Sequence, residues 1–431
     1  MLSLRGVRLA PTLAAAALAA GCDAGSGNSA RSDGSSSGGA NGSSSGGTGG
    51  ASGICAASEV VFMSPTLPSY CSLPNGVDAA VARAAYESFK ATVVTAEGAG
   101  GNLRVWRPDS SVPGSTVSEG MGYGMLLGVY HDDQAVFDAL WRYVAQYLNA
   151  NGLMDWEIDA AGSVIGLGAA SDGDADIAFA LLMAARRWGG CGSLAEPYEV
   201  LGARMVEAMW THEVDLTRGY MWKPGDAWGD RDVTNLSYFS PAYFRIFGEA
   251  TGNVEGWNAV IEGNYAILER TLNETLGNAD NGLVPAWSNS LGEAVAPFDG
   301  AAIHFQNDST RTPFRVGQDY CWFGEPRAKA YLDKIAGFYA EVGVAAISDG
   351  YELDGTPRPQ NPDAGTQAAS FVGPAGVAFM SDPTYQAELD QAWAAVGSEQ
   401  LTNGTVYYQK SWTALSLLLM AGEMTAYPAA P

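Results

Sequence analysis

The feature that most restricts the fold is an unbroken succession of segments with helical periodicity. Apolar residues recur in these segments at the spacing of one helix face. Twelve are predicted, at residues 78–96, 117–131, 132–149, 173–189, 195–213, 239–252, 254–276, 309–322, 325–343, 365–380, 382–397 and 408–423. No regular alternation of strand and helix and no repeat of fixed period interrupts them. The pattern predicts an all-α fold and suggests a closed (α/α) toroid. An open helical solenoid would contain a similar number of helices, so periodicity alone leaves closure open.

Four connections between the predicted helices are long. They cover residues 98–116, 150–171, 214–238 and 277–308, and they are rich in Gly, Pro, Asn and Asp. Long ordered loops in a compact domain usually carry function. We expect them to gather at one end of the helices.

The N-terminal residues have the features of an export signal rather than of a folded element. Arg5 and Arg8 precede a short apolar stretch at residues 9–20, which ends before Gly21 and Cys22. The last of these residues resemble a bacterial lipobox, although Ala19 stands where that motif prefers Leu. We expect residues 1–21 to be a lipoprotein signal peptide and Cys22 to carry the lipid, with ordinary secretion and cleavage near Gly21 as the alternative.

The sequence after Cys22 divides into a linker and one domain. Residues 22–53 are almost entirely Ser, Gly, Asn and Ala, which cannot bury enough apolar surface to fold and predict a flexible tether. Residues 54–431 have uniform composition and are expected to form a single domain. The expected location is outside the cytoplasm, either lipid-anchored to the cell envelope or secreted.

The charge of the chain excludes one large class of partner. Lys and Arg number 23 against 47 Asp and Glu, which gives a net charge of −24 and a surface that repels DNA and RNA. Only 16% of the residues are charged, while 12 are Trp and 19 are Tyr. This composition suits a protein that handles neutral, hydroxyl-rich ligands, and we expect it to be a monomer.

The cysteines outside the signal region suggest disulfides. Cys55, Cys71, Cys191 and Cys321 are four in number, which permits two disulfides in three possible connectivities. The local pair Cys55–Cys71 is favoured, with free buried thiols as the alternative.

A glycine-rich segment around Glu119 is the first candidate for chemistry. Residues 117–125 lack the order of glycines found in a dinucleotide or phosphate loop. Met121, Tyr123 and Met125 make the surroundings of Glu119 largely apolar, which raises the pKa of a carboxylic acid as a general acid requires. A helix-terminal glutamate without function is the alternative.

Two further acidic segments stand out. Asp172, Asp174 and Asp176 lack the Gly and Glu that a calcium-binding EF-hand would place after them, and they suit a helix N-terminus in which Asp174 or Asp176 serves as a capping acid. Asp308 precedes a helical stretch and could be an N-cap or a functional acid, with Arg311 on the same first turn.

Taken together, these segments resemble glycoside hydrolase family 8. Residues 170–188 are similar to the signature of that family, and residues 118–125 resemble its general-acid motif. Further similar segments occur in the order of the family, at residues 152–156, 238–243, 311–315, 371–374 and 407–412. The resemblance covers about residues 75–425.

The resemblance implies an (α/α)6 barrel with six inner and six outer helices, and inverting hydrolysis of a β-linked polysaccharide. Glu119 would be the general acid and Asp308 the general base, with their carboxyl groups roughly 6.5–9.5 Å apart. Asp172 would bind and distort the sugar at the cleavage point, and Arg311 would orient Asp308 and keep it ionised. Many members carry Tyr before the base, where this chain has Asn307, and Asp319 is the nearest competitor for that role.

Aromatic residues are expected to form the sugar-binding platforms, because sugar faces pack on flat rings. Trp156, Trp228 and Tyr407 are the candidates. A β-1,4-linked or mixed-linkage glucan is the first choice of substrate. Xylan and chitosan are alternatives within the family, and endo action is preferred over exo action.

Two other chemistries and one non-catalytic role are the alternatives to hydrolysis by paired carboxylates. Only three histidines occur and none forms a metal-binding pair, so neither metal nor cofactor is expected. A Gly-x-Ser-x-Gly sequence at residues 42–46 lies in the tether and lacks the context of a nucleophile. A non-catalytic glycan-binding lipoprotein remains the alternative from another class, but all three acids are present, which favours an enzyme.

Overall fold

The computed structural model describes residues 69–360, 367–401 and 403–427. The described residues contain twelve α-helices, so the all-α prediction is confirmed. In chain order, α1 to α12 are Ala79–Val93, Ser118–Tyr130, Gln134–Val144, Ser171–Trp188, Tyr198–His212, Pro241–Thr251, Val254–Thr271, Thr312–Phe323, Pro326–Val342, Ala369–Phe379, Gln386–Gly397 and Val406–Met420. Each predicted helical segment overlaps one of them, although α4, α8 and α12 extend one or two residues beyond the predicted bounds.

The even-numbered helices form a closed inner ring. Helix α2 packs on α4, α4 on α6, and the succession continues through α8 and α10 to α12, which returns to α2. Helices α3, α5, α7, α9 and α11 each pack outside the inner helix that precedes them in the chain, and α1 packs outside α12. This arrangement is an (α/α)6 barrel, and it rejects the open solenoid.

Burial explains which helices lie inside. Nearly every residue of α2, α4, α10 and α12 is buried, and α10 in particular is apolar on all sides. Outer helices such as α1 and α3 bury one face and expose the other. A helix that is apolar all round is stable only with neighbours on every side, whereas an amphipathic helix needs a single packed face.

Short antiparallel strands lie mostly in the connections read as loops. Strands β1 to β7 are Val94–Thr95, Arg104–Val105, Thr116–Val117, Asp155–Ile158, Val164–Ala169, Val214–Asp215 and Met221–Trp222. Strands β3, β4 and β5 form one sheet, and the other strands form two pairs. The long loops lead into α2, α4, α6 and α8, and therefore gather around the N-terminal ends of the inner helices.

The favoured disulfide Cys55–Cys71 is wrong. Cys71 is bonded to Cys321 in α8, with the two Cα atoms 4.9 Å apart. The backbone N–H of Tyr70 donates to the carbonyl of Cys321, which places the two cysteines side by side although 250 residues separate them. The prediction paired cysteines that are close in sequence, whereas the barrel brings the start of the domain against α8.

Several sequence predictions fall outside the described residues. They are the signal peptide at residues 1–21, lipid attachment at Cys22, the tether at residues 22–53 and any role of Cys55. Within the described residues, none of the helices has the length and apolar character needed to cross a bilayer.

Candidate active site

The candidate catalytic residues lie where inner helices begin. Glu119 is in the first turn of α2 and Asp172 in the first turn of α4. Asp308 precedes a 3-10 turn at Ser309–Arg311 that leads directly into α8. Because the inner helices are arranged in a ring, their first turns converge at one end of the barrel, and residues distant in sequence meet there.

The guanidinium of Arg311 joins the three acids. Its Nη1 lies 2.6 Å from Glu119 Oε2 and 2.6 Å from Asp172 Oδ2, while its Nη2 lies 3.3 Å from Asp308 Oδ1. Arg311 is only 1% exposed. A buried guanidinium is stable when carboxylates compensate its charge, and its rigid fork fixes their relative positions. Arg311 thus contacts Asp308, as expected, but its shortest bonds go to Glu119 and Asp172.

The carboxyl of Glu119 has the electrostatics of an acid that keeps its proton. Burial is the largest influence and raises its pKa. The positive charge of Arg311 and a hydrogen bond from Tyr407 lower the pKa, while Asp172 and Asp308 raise it, and the net direction is upward. Burial therefore raises the pKa of Glu119, which is the direction expected from the sequence.

Tyr407 acts on Glu119 directly. Its hydroxyl donates to Glu119 Oε1 over 2.9 Å, and its ring is buried in the first turn of α12. Tyr123, one turn along α2, places its hydroxyl 3.4 Å from Glu119 Oε2. The role of Tyr407 as a sugar platform stays a prediction, and the observed contact of its hydroxyl is with the Glu119 carboxyl.

Comparison with known proteins agrees with this geometry. The model of the family described as Glycosyl hydrolases family 8 matches residues 66–422. The chain belongs to this family. It is therefore a glycoside hydrolase, and the predicted resemblance is confirmed.

The family 8 relatives include named enzymes. Endoglucanase A of Acetivibrio thermocellus is 39% identical over 350 residues, which cover 80% of this chain and 69% of that protein. Endoglucanase 2 of Ruminiclostridium josui is 41% identical over 305 residues, covering 70% of this chain but only 62% of that protein. A β-1,3-1,4-glucanase structure from Paenibacillus sp. X4 superposes with a TM-score of 0.73 at 28% identity, covering 82% of this chain and 95% of that one.

The glycines near the acid of this family 8 enzyme permit close helix packing. A Cβ atom added to Gly173 in α4 would lie 2.5 Å from Ser118 Oγ and 2.7 Å from the Glu119 backbone nitrogen. One added to Gly122 in α2 would lie 2.6 Å from the Cβ of Asp176. The first turns of α2 and α4 can therefore touch, which brings Glu119 and Asp172 to the same guanidinium.

Asp174 and Asp176 do not cap α4, contrary to the sequence reading. Asp174 accepts a hydrogen bond from the Met154 backbone at 3.1 Å, in the loop before β4. Asp176 forms a doubly hydrogen-bonded pair with Arg315 of α8, at 2.5 and 2.7 Å. Both acids are buried, and their hydrogen bonds go to partners outside α4.

Asp319, the competitor for the base, is a buried structural acid. Its carboxylate accepts two hydrogen bonds from Arg245, at 2.7 and 3.0 Å, and one from the Tyr265 hydroxyl at 2.7 Å. It is 0% exposed and cannot reach a water in the cleft. Asp308 is the accessible acid of the two, with 36% of its side chain exposed.

The two tryptophans predicted as platforms lie in the connections that approach the site. Trp156 is in β4, with its indole against Gly166 of β5. Trp228 stacks on Trp287 with ring centroids 5.5 Å apart. Among the described contacts neither touches Glu119, Asp172 or Asp308, so their role as platforms stays a prediction.

Two neighbours of the site were missed from the sequence. They are Tyr238, whose ring centroid is 5.1 Å from the Arg311 guanidinium carbon, and Gln306, whose amide contacts Asp308. Tyr123 was expected beside Glu119, but as apolar surroundings rather than through its hydroxyl. Tyr238 belongs to a segment that resembles the family, which was a usable signal. For Gln306, the only signal in the sequence was its position two residues before Asp308.

Proposed function

We propose that this glycoside hydrolase cleaves internal linkages of a β-1,4-linked or mixed-linkage glucan with inversion, using Glu119 as general acid and Asp308 as general base. One observation carries the proposal. A single buried guanidinium, that of Arg311, holds a carboxyl whose pKa is raised beside a carboxylate that faces solvent. An inverting enzyme requires such a pair of acids in unequal environments.

Glu119 supplies the proton for the leaving group. As the bond between the anomeric carbon and the bridging oxygen breaks, the Glu119 O–H transfers its proton to that oxygen. The raised pKa keeps the carboxyl protonated toward neutral pH, which this step needs.

Asp308 is proposed to act on the opposite face of the sugar ring. It removes a proton from a water molecule whose oxygen attacks the anomeric carbon, so a β-linkage yields an α-anomer. The Asp308 and Glu119 carboxyl groups are bonded to different amino groups of Arg311. Asp172, bonded to the same Nη1 as Glu119, is proposed to bind and distort the sugar between them.

The names of the similar proteins support a glucan as the substrate. Those of highest reported identity are named endoglucanases, and the similar structure is a β-1,3-1,4-glucanase. A panel of carboxymethylcellulose, lichenan, xylan and chitosan separates the candidates. Activity confined to xylan or chitosan would reject the glucan proposal. Shortening of long chains before small sugars accumulate would support endo action.

The test of Glu119 is a Glu119→Gln variant compared on two leaving groups. We expect a fall of about 10²- to 10⁴-fold in reducing-sugar release from glucan. The phenolate of an aryl oligoglucoside with an acidic phenol departs without protonation. The hydrolysis rate of that substrate should therefore fall far less. An equal loss on both substrates contradicts the assignment of Glu119 as acid.

The test of inversion is proton NMR of the first products. An initial α-anomer signal is expected, and an initial β-anomer rejects Asp308 as a general base. Complete inactivity of the parent enzyme on all glycans, with binding retained, would instead favour the non-catalytic glycan-binding alternative.

We also propose that the enzyme is exported as a lipoprotein, monomeric, with Cys22 lipidated, residues 22–53 as a tether and residues 54–431 as the catalytic domain. The support is the charged, apolar and small-residue order of residues 1–21 followed by Cys22. Cell fractionation and mass spectrometry of wild type and Cys22→Ala test the anchor. Release of active enzyme only from the variant is expected, and equal release from both rejects the anchor.

A further inference from the structure

The base carboxylate has a second hydrogen-bond donor besides Arg311. Gln306 Nε2 lies 3.1 Å from Asp308 Oδ2, while Arg311 Nη2 lies 3.3 Å from Oδ1. Each oxygen of Asp308 therefore has its own donor. Arg311 also binds two other carboxylates with its Nη1 at 2.6 Å, so its charge is shared among three acids. Gln306 serves Asp308 alone among the described acids.

The backbone around Gln306 holds this amide in place. Phe305, its neighbour, is fully buried and exchanges two backbone hydrogen bonds with Tyr351, each 3.0 Å long. The carbonyl of Gln306 accepts from the Thr310 N–H at 2.9 Å, which closes the turn that contains Asp308. Gln306 is thus anchored on both sides, and its side chain reaches the carboxylate across that turn.

The next residue differs in its contacts, although it also carries an amide. Asn307 Nδ2 donates to Gln360 Oε1 at 3.2 Å, and the Asn307 carbonyl accepts from the Tyr408 hydroxyl at 2.6 Å. Its side chain is directed to another loop and not to Asp308. Of the two adjacent amides, only that of Gln306 contacts the base.

We propose that Gln306 is a positioning residue for the general base. Its amide holds one oxygen of Asp308 and stabilises the ionised carboxylate, which leaves the exposed side of that group to bind the attacking water. This inference rests on the proposed function, because it concerns the residue assigned there as base.

The test uses two variants of similar size. Gln306→Met removes the donor and retains the volume, and Gln306→Glu places a second carboxyl beside the base. Loss of the donor destabilises ionised Asp308, so the acidic limb of the kcat/KM profile should move to higher pH. The shift should be larger for Gln306→Glu, since two adjacent carboxyls compete for one proton. We expect kcat at neutral pH to fall about ten- to a hundredfold with little change in KM.

Asn307→Ala is the matched control, because it removes the neighbouring amide that contacts Gln360. Its acidic limb should coincide with that of wild type. If the limb is unmoved in both Gln306 variants, or if Asn307→Ala moves it equally, the inference is overturned. A lower melting temperature with an unmoved limb would indicate a structural role only and also overturns it.

An Asp308→Ala variant distinguishes the two levels of the proposal. Wild-type activity of Asp308→Ala would reject the assigned base, and with it any role of Gln306 in supporting it. Loss of activity in Asp308→Ala together with unchanged Gln306 variants rejects the present inference alone.

Discussion

The hydroxyl of Tyr407 is a direct hydrogen-bond donor to the carboxyl of Glu119. That bond, 2.9 Å long, favours the ionised carboxyl and lowers the pKa of Glu119 against the upward effect of burial. In Tyr407→Phe the opposing influence is lost and the pKa of Glu119 rises further. The protonated acid then persists to higher pH, and the alkaline limb of the kcat/KM profile should move to higher pH.

Tyr408→Phe provides the control for this measurement. Tyr408 follows Tyr407 on α12, but its hydroxyl donates to the Asn307 carbonyl rather than to Glu119. The alkaline limb should therefore stay in place. A limb that moves down in Tyr407→Phe contradicts the assigned direction of the hydrogen bond.

At the scale of residues, the sequence predicted identities better than contacts. Glu119, Asp172, Asp308 and Arg311 were selected through ordered motifs, and the structure brings their charged groups together. The hydrogen bond from Tyr407 could not be predicted, because it spans 288 residues and depends on α12 closing against α2. Spacing along the chain does not show that α12 and α2 are neighbours in the ring.

The close crossing of α2 and α4 is the structural basis of the site at the scale of elements. Gly173→Ala would place a methyl group 2.5 Å from Ser118 Oγ and 2.7 Å from the Glu119 nitrogen, so the helices must separate. We expect about 1–3 kcal/mol of lost stability, as for overpacked cores, and at least a tenfold loss of kcat because Glu119 moves relative to Asp172. Chemical denaturation and glucan hydrolysis measure the two effects.

Gly128→Ala on α2 is the matched substitution. There the added Cβ would be 3.6 Å from its nearest neighbour, the Cβ of Phe137, which is ordinary packing distance. Since Ala favours helix by about 1 kcal/mol over Gly, this variant should be unchanged or more stable. Equal damage in both variants would show that the helix crossing is not the cause.

Helices α4 and α8 are joined by the buried ion pair of Asp176 and Arg315, whose side chains are at most 1% exposed. Asp176→Leu leaves the guanidinium without its carboxylate in the barrel core. Removal of one partner from such a pair costs about 3–5 kcal/mol. We expect a loss of this size in the free energy of unfolding.

Two comparisons identify the ion pair as the source of that loss. The double variant Asp176→Leu with Arg315→Met removes both charges and should recover most of the stability. Arg204→Ala breaks a solvent-exposed pair with Glu196 and should cost no more than about 1 kcal/mol. If the double variant is as unstable as the single one, lost packing rather than an uncompensated charge is responsible.

Helices were more predictable than strands for a physical reason. Twelve long periodic segments gave twelve helices, but the segment read as the loop 150–171 contains β4 and β5. These strands have 4 and 6 residues, and glycines at 166 and 168 weaken their alternation. Their pairing is set by contact with each other and with β3, which a local pattern does not contain.

At the scale of the whole molecule, closure of the ring decides what the sequence could not. Periodicity gave the number of helices, but the contact of α12 with α2 distinguishes a barrel from a solenoid. The same closure explains why the predicted local disulfide is wrong, since it brings the segment before α1 against α8. Short-range reasoning succeeded within helices and failed where the chain returns on itself.

The Cys71–Cys321 disulfide ties the start of the domain to α8 across 250 residues. By chain entropy alone, a loop of this length stabilises the folded state by about 5 kcal/mol, because the crosslink restricts the unfolded chain. We expect the double variant Cys71→Ser with Cys321→Ser to melt at a clearly lower temperature.

The same double variant should retain its kcat where it is folded, since α8 carries the disulfide at the end opposite to Arg311. Differential scanning calorimetry and glucan hydrolysis at low temperature test both expectations. An unchanged melting temperature contradicts the stabilisation, and a lower kcat in the folded variant shows that the disulfide also positions the acids.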